Sequence, residues 1–233
     1  MANPPYQSAL IVGAGAGLSA SLARALAKEG VRVALAARSV DDLDALKRET
    51  GAVTFACDAS ARTDVEKLFV ELEAAGGAPE IVIYNASYRT RGPLVDLDPA
   101  EVEKSVQVSA LGGFYVAQAA ARRMLPAGRG AIFFTGASAS VKGYAQSAPF
   151  AMGKFALRGL AQSMARELAP QGIHVAHVVV DGGIRSPRRA EPADKPDSML
   201  DPDAIAASYV HMLRQPKNAW SWEIEVRPWV ERF

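Results

Sequence analysis

Val12-Gly13-Ala14-Gly15-Ala16-Gly17-Leu18-Ser19 is the stretch on which the reading of this chain turns. Ser8-Ala9-Leu10-Ile11-Val12, leading into it, is short and apolar, as in a strand covered on both faces. Residues 19–29, leading out, repeat Ala and Leu at helical spacing and stop at Gly30, the residue that best tolerates the left-handed end of a helix. Glycines between a strand and a helix allow a tight turn. They also let backbone N–H groups and the positive end of the helix dipole approach a phosphate. The spacing is G-x-x-x-G-x-S, with Ser19 last, rather than G-x-G-x-x-G. Such a turn can equally do no more than close a strand–helix unit, so the flanking sequence must decide.

Working outward, apolar runs at 31–36, 52–56, 81–85, 130–135, 173–180 and 222–226 predict strands. Helical spacing predicts helices at 40–50, 62–75, 99–125, 148–168 and 202–214. Strict alternation of the two implies an α/β protein: a three-layer Rossmann fold, doubly wound, with a mostly parallel seven-stranded sheet and helices on both faces. No repeat or linker interrupts it, so residues 1–233 are expected to form a single dinucleotide-binding domain. Residues 187–200 are proline-rich and charged, and are expected to form a lid over a substrate.

Hydrophobic residues make up 49% of the chain, enough for a sizeable core, while the net charge of +1 leaves no footprint for nucleic acid or an acidic membrane surface. The expected partner is a small-molecule substrate. Cys57 is the single cysteine, so an internal disulfide is impossible. Met1-Ala2-Asn3-Pro4-Pro5 lacks a basic segment before an apolar run, and no stretch is apolar for long enough to span a bilayer; a cytoplasmic protein is expected. His174 and His177 stand at odd spacing on one strand and face opposite sides, so no metal site is expected.

The end of the second strand discriminates between cofactors. An acid there would bind the ribose 2′-hydroxyl of NAD, whereas arginine suits the 2′-phosphate of NADP. Here Ala37-Arg38-Ser39 offers a guanidinium and a hydroxyl, and no acid. NADP(H) is therefore favoured and NAD(H) possible.

These features, in this order, resemble the short-chain dehydrogenase/reductase family from about Ser8 to the end of the sixth strand. Asp58-Ala59 matches the family acid that contacts adenine. Asn85-Ala86-Ser87 is similar to the family Asn-Ala-Gly. Asp181-Gly182-Gly183-Ile184-Arg185-Ser186 is similar to the Pro-Gly motif after the sixth strand. The resemblance implies that Gly13, Gly15, Ala16, Gly17, Leu18, Arg38, Ser39, Asp58, Ala59, Asn85, Ala86, Ser87, Lys154, Gly182, Ile184 and Ser186 hold the cofactor. It also implies a homodimer or homotetramer through the two long helices.

The family's catalytic Tyr-x-x-x-Lys is matched only at Lys154, since Phe150 stands four residues earlier. Ala137 stands where the family serine is expected, with Ser138 beside it, and Ser109 occupies the asparagine position. Phe133-Phe134-Thr135-Gly136-Ala137, Phe150-Ala151-Met152-Gly153-Lys154 and Trp220-Ser221-Trp222-Glu223 resemble a bacterial branch of the family with Phe-x-x-x-Lys. Phenylalanine keeps the ring and loses the proton, whose transfer is typically worth about 10²–10⁴ in rate. Lys154, Ser138, Tyr144 and Ser109 are the remaining candidates for catalysis, with Tyr88 a further proton donor. The expected function is an NADP(H)-dependent oxidoreductase with an altered tetrad, acting on a carbonyl, enone or imine. The alternatives are a cofactor-binding pseudo-enzyme or regulatory subunit, and a non-redox isomerase or lyase in the same cleft.

Overall fold

A computed structural model describes residues 4–187 and 189–231. The start at Met1-Ala2-Asn3 and the aromatic Phe233 lie outside them. In chain order the elements are β1 (Ser8–Val12), α1 (Leu18–Lys28), β2 (Arg32–Ala37), α2 (Asp44–Thr50), β3 (Val53–Ala56), α3 (Arg62–Gly76), β4 (Ile81–Tyr84), α4 (Pro99–Val106), α5 (Gly112–Met124), β5 (Gly130–Thr135), α6 (Ala148–Leu168), β6 (Ile173–Val180), β7 (Gly183–Ile184), β8 (Met199–Leu200), α7 (Pro202–Leu213) and β9 (Glu223–Val226). The seven long strands form one sheet in the order β3-β2-β1-β4-β5-β6-β9. Every pairing in it is parallel.

Alternation along the strands explains why the central ones, β1, β4 and β5, are almost wholly apolar, whereas the edge strand β9 carries Glu223 and Glu225. Ala9, Ile11, Ile81, Ile83 and Phe133 face α1 and α7, where they pack with Leu22, Leu26 and Tyr209. Their neighbours Leu10, Val12, Val82, Ile132 and Phe134 face the opposite layer, with Phe69, Val116 and Leu157. Successive side chains leave a strand on opposite faces, so two cores demand apolar residues at every position. Asp98 and Asp201 cap α4 and α7 by accepting from the N–H groups of Ala100 and Asp203, each followed by proline at the first helical position.

Three features depart from the sequence reading. The expected helix over 40–50 begins as a tighter turn, Asp41–Leu43, before α2. The expected helix over 99–125 widens into a π turn at Gln107–Leu111. There the Tyr84 hydroxyl donates to the Val108 carbonyl. Beyond it, Gly112 passes so close to Tyr84 and Ala59 that a Cβ would lie 2.4 Å from the Tyr84 hydroxyl. Lastly, β7 and β8 pair with each other in a separate two-stranded sheet that ties the ends of the 185–198 segment together. No helix among the described residues is long and apolar enough to cross a membrane.

Candidate active site

Strand order reverses between β1 and β4, so the loops beyond their carboxyl ends part and leave a crevice. The turn after β1 is pressed against the turn after β4. Gly13 has φ +85°, and a Cβ on it would lie 2.4 Å from the Ala86 amide nitrogen, so only glycine fits. The Gly13 and Ala14 N–H groups donate to the Ala36 carbonyl at 2.9 and 3.0 Å. Ser19 Oγ donates to the Gly13 carbonyl at 2.8 Å and accepts from Asn85 Nδ2 at 2.7 Å. Gly15 and Gly17, in contrast, have open space where a Cβ would stand. No side chain caps the start of α1 and no acid lies in its first turn, leaving its N–H groups available to an anion.

Two hollows share Gly17 and Ser186. The first, about 890 Å³, is lined by Ala14, Gly15, Ala16, Arg38, Ser39 and Pro187 among others. The second, about 610 Å³, is walled by Leu18, Asn85 and Ser87 on one side, Thr135, Ser138, Tyr144, Phe150 and Lys154 on another, and Gly182, Ile184 and Arg189 on a third. Both lie within the roughly 300–1,000 Å³ common for small-molecule sites.

Lys154 is only 3% exposed, and its Nζ donates to the Thr135 carbonyl at 2.7 Å. Burial pushes its ammonium down to about 8. The Nζ lies 5.8 Å from the centre of the Phe150 ring, and the Arg89 guanidinium carbon lies 4.7 Å from the same centre. Ser138 opens the short turn after β5, and Tyr144 stands 47% exposed at the rim.

Other expected site residues are placed elsewhere. Ser109 is fully buried in the π turn against Gly153 and does not line the cleft. Tyr88 turns its hydroxyl to Glu101 on α4. Gly13 and Ala86 are consumed in packing one turn on the other, and neither lines a hollow. Asp58 and Ala59 also lie outside the lining. Asp58 Oδ1 accepts from the Ser60 hydroxyl and N–H at 2.6 and 2.9 Å. The Ser60 hydroxyl above all, with the Arg38 and Lys104 charges, holds that carboxyl below its usual range against the opposing effect of burial.

His174 and His177 go to different partners. His174 Nε2 lies 2.9 Å from the Ser221 carbonyl, and its ring stacks on Trp220 with centroids 4.7 Å apart. His177 Nδ1 lies 3.0 Å from Glu223, which also accepts two hydrogen bonds from Arg158 at 2.6 and 2.7 Å. Burial pushes the His177 imidazole down to about 4 in spite of that carboxylate.

Comparison with known proteins bears on this geometry. The family model for short chain dehydrogenases matches residues 7–196. The chain belongs to this family. An uncharacterized oxidoreductase of Staphylococcus aureus is 28% identical over 226 residues, covering 94% of this chain and 96% of its own. A crystal structure of a short-chain dehydrogenase from Rhodopseudomonas palustris is 33% identical with a TM-score of 0.82, covering 96% of this chain and 99% of that one. A metagenomic short-chain oxidoreductase in complex with NADP is 30% identical, also with a TM-score of 0.82, covering 95% and 97% of the two chains. As a short-chain dehydrogenase the chain is an oxidoreductase of a family that binds a nicotinamide cofactor, and it has a crevice at the strand reversal.

Sequence reasoning passed over Arg89, Arg91 and Arg189, all in the lining of the smaller hollow. The available signal was a pair of arginines immediately beyond Asn85-Ala86-Ser87, in a loop that must border the cleft.

Proposed function

We propose that this short-chain dehydrogenase is an NADP(H)-dependent oxidoreductase in which Phe150 occupies the place of the family tyrosine. One observation carries the reading: adjoining hollows join the uncapped start of α1 and the Arg38 side chain to buried Lys154 through Gly17 and Ser186. The residues fit the cofactor. Arg38 makes no ion pair among the described residues, and Ser39 lies beside it in the lining, as a 2′-phosphate requires. NADP(H), when bound, supplies the hydride. Gly15, Ala16, Gly17 and Leu18 would cradle the phosphates with backbone N–H groups. Ile184, Ser186 and Ser87 would wall the nicotinamide end, and Lys154 would hold the adjacent ribose.

The chain's own contribution to the chemistry is positioning. Ser138 offers a hydroxyl that orients a substrate oxygen or nitrogen, and the Phe150 ring excludes water without moving a proton. Tyr144 or solvent at the open rim donates the proton. Substrates that demand little acid suit this wall: an iminium carries its positive charge already, and a conjugated enone takes its proton at carbon. Residues 187–200 are the lid of this pocket. Exposed Phe114 on α5 with Met152 and Phe155 on α6 supports a homodimer or homotetramer through these helices.

Titration with NADPH and NADH, followed by nicotinamide fluorescence, tests the reading. NADPH binds more tightly, and Arg38→Ala weakens it by about 10- to 100-fold while changing NADH little, since hydrogen bonds to a charged group contribute roughly 1.5–3 kcal/mol. Absence of NADPH binding at millimolar concentration overturns the proposal. Binding without turnover on ketones, enones and imines favours the second reading, a cofactor-holding pseudo-enzyme, which the missing hydroxyls at Phe150 and Ala137 support.

A further inference from the structure

We propose that the smaller hollow is built for a substrate carrying an oxyanion, a carboxylate or a phosphate, gripped by Arg89 and Arg91 from the loop after β4 and by Arg189 from the segment after β7. The inference rests on that hollow being the substrate end of the cleft.

Charge accounting within the hollow points this way. Arg89, Arg91, Arg185, Arg189 and Lys154 line it, against Asp181 and Glu231. Arg185 is engaged by Asp201, and Asp181 by Lys142 at 3.3 Å. Arg89, Arg91 and Arg189 make no ion pair among the described residues, and no ion pair of Glu231 involves them. With a net charge of +1 over the whole chain, this excess is local.

The three arginines are exposed to solvent, yet they do not form a stripe along one helix. They come from two loops, about a hundred positions apart in the chain, that the fold brings to one hollow. They also feel one another. Burial first, and then the charges of Arg91 and Arg189, make the Arg89 cation less favourable than an ordinary surface guanidinium. An anion placed between them relieves that repulsion. Guanidinium forks match carboxylate and phosphate oxygens two at a time, so the grip would fix orientation as well as supply charge.

Position makes the grip specific. Arg89 rests against the Phe150 ring, the same ring that Lys154 Nζ approaches one helical turn later. An oxyanion held by Arg89 therefore lies beside the reacting end of the pocket. The favoured substrate is small, with the charged group close to the carbon that is reduced: a short oxo acid, an enoate or a phosphorylated carbonyl compound.

The test is calorimetric titration of the protein in saturating NADP+, which cannot reduce an oxo acid, with phenylpyruvate, its methyl ester, phenyl phosphate and phenol. The acid or the phosphate is expected to bind at least about tenfold more tightly than its neutral counterpart, with the preference shrinking at high salt. The tighter of the two charged probes identifies the kind of oxyanion. Arg89→Gln and Arg91→Gln, made separately, are each expected to lose about tenfold in affinity for the charged probe while NADP+ affinity stays within twofold. Equal binding of charged and neutral members, no binding of either, or variants that keep the wild-type preference would overturn the proposal. If NADP+ itself fails to bind, the cofactor reading falls, and the same titration of the free protein still decides the oxyanion grip.

Discussion

On the β1–β2 side the cleft wall is mostly backbone, apart from the Arg38 and Ser39 side chains at its far end: the Gly15–Gly17 turn, the start of α1 and the Gly13–Ala86 contact behind it. On the β4–β6 side it is mostly side chain: Lys154, Phe150, Ser138 and the arginines. A backbone wall recognises what all its ligands share, because peptide N–H groups do not vary with sequence. A side-chain wall can change its chemistry one substitution at a time while the sheet beneath stays intact. In the proposed reading Phe150 is such a change, and the Lys154–Thr135 hydrogen bond stands beside it.

The comparison can be broken most forcefully at Phe150. If this wall is independent of the other, Phe150→Tyr should raise NADPH-dependent ketone reduction by about 10²–10⁴-fold, read from NADPH absorbance, with cofactor affinity unchanged. No gain would mean that Ala137 and the arginines have also diverged from ketone chemistry.

A second effect sits behind the side-chain wall. His177 takes a proton near 6.5 when unfolded and only near 4 when folded. Between those values the unfolded state binds more protons, so acid favours unfolding, and stability falls as pH drops from 6.5 toward 4. The full shift corresponds to about 3 kcal/mol. His177→Gln should flatten this part of the profile, measured as Tm against pH relative to wild type. An unchanged slope would show that His177 titrates normally.

The backbone wall is sharpened by two glycines. Gly13→Ala combines a left-handed φ with a Cβ driven into Ala86 and should cost about 2–3 kcal/mol in chemical denaturation. Gly15→Ala meets open space and should stay within about 0.5 kcal/mol. A similar cost at both would dissolve the distinction between fold-closing and ligand-facing glycines.

The two walls were unequally legible in the sequence. Apolar runs located β1, β5 and β6 to the residue, because both faces of these strands are buried, and helical spacing located α6 as closely. The π turn at Gln107–Leu111 escaped because spacing read over a stretch this long does not resolve one extra residue in a single turn, and β7 and β8 are too short to alternate. Within the site, the glycine turn was legible as a candidate phosphate cradle, yet not that Gly13 and the Asn85 amide are used to close it. Ser109 aligned with a catalytic position, but its burial against Gly153 is a packing outcome. The arginines stood in view, but the meeting of two distant loops is a property of the fold.

The pairing of β7 with β8 has an engineering consequence. Gly183 meets Met199 and Ile184 meets Leu200, so the intervening chain leaves and re-enters the body at neighbouring points. Closing a loop across such a clasp depends only weakly on its length, at about 0.6 kcal/mol for each doubling. The segment is therefore a graftable cassette: longer or shorter replacements could be spliced between the same two anchors, and libraries built there would sample new pocket shapes on an unaltered sheet.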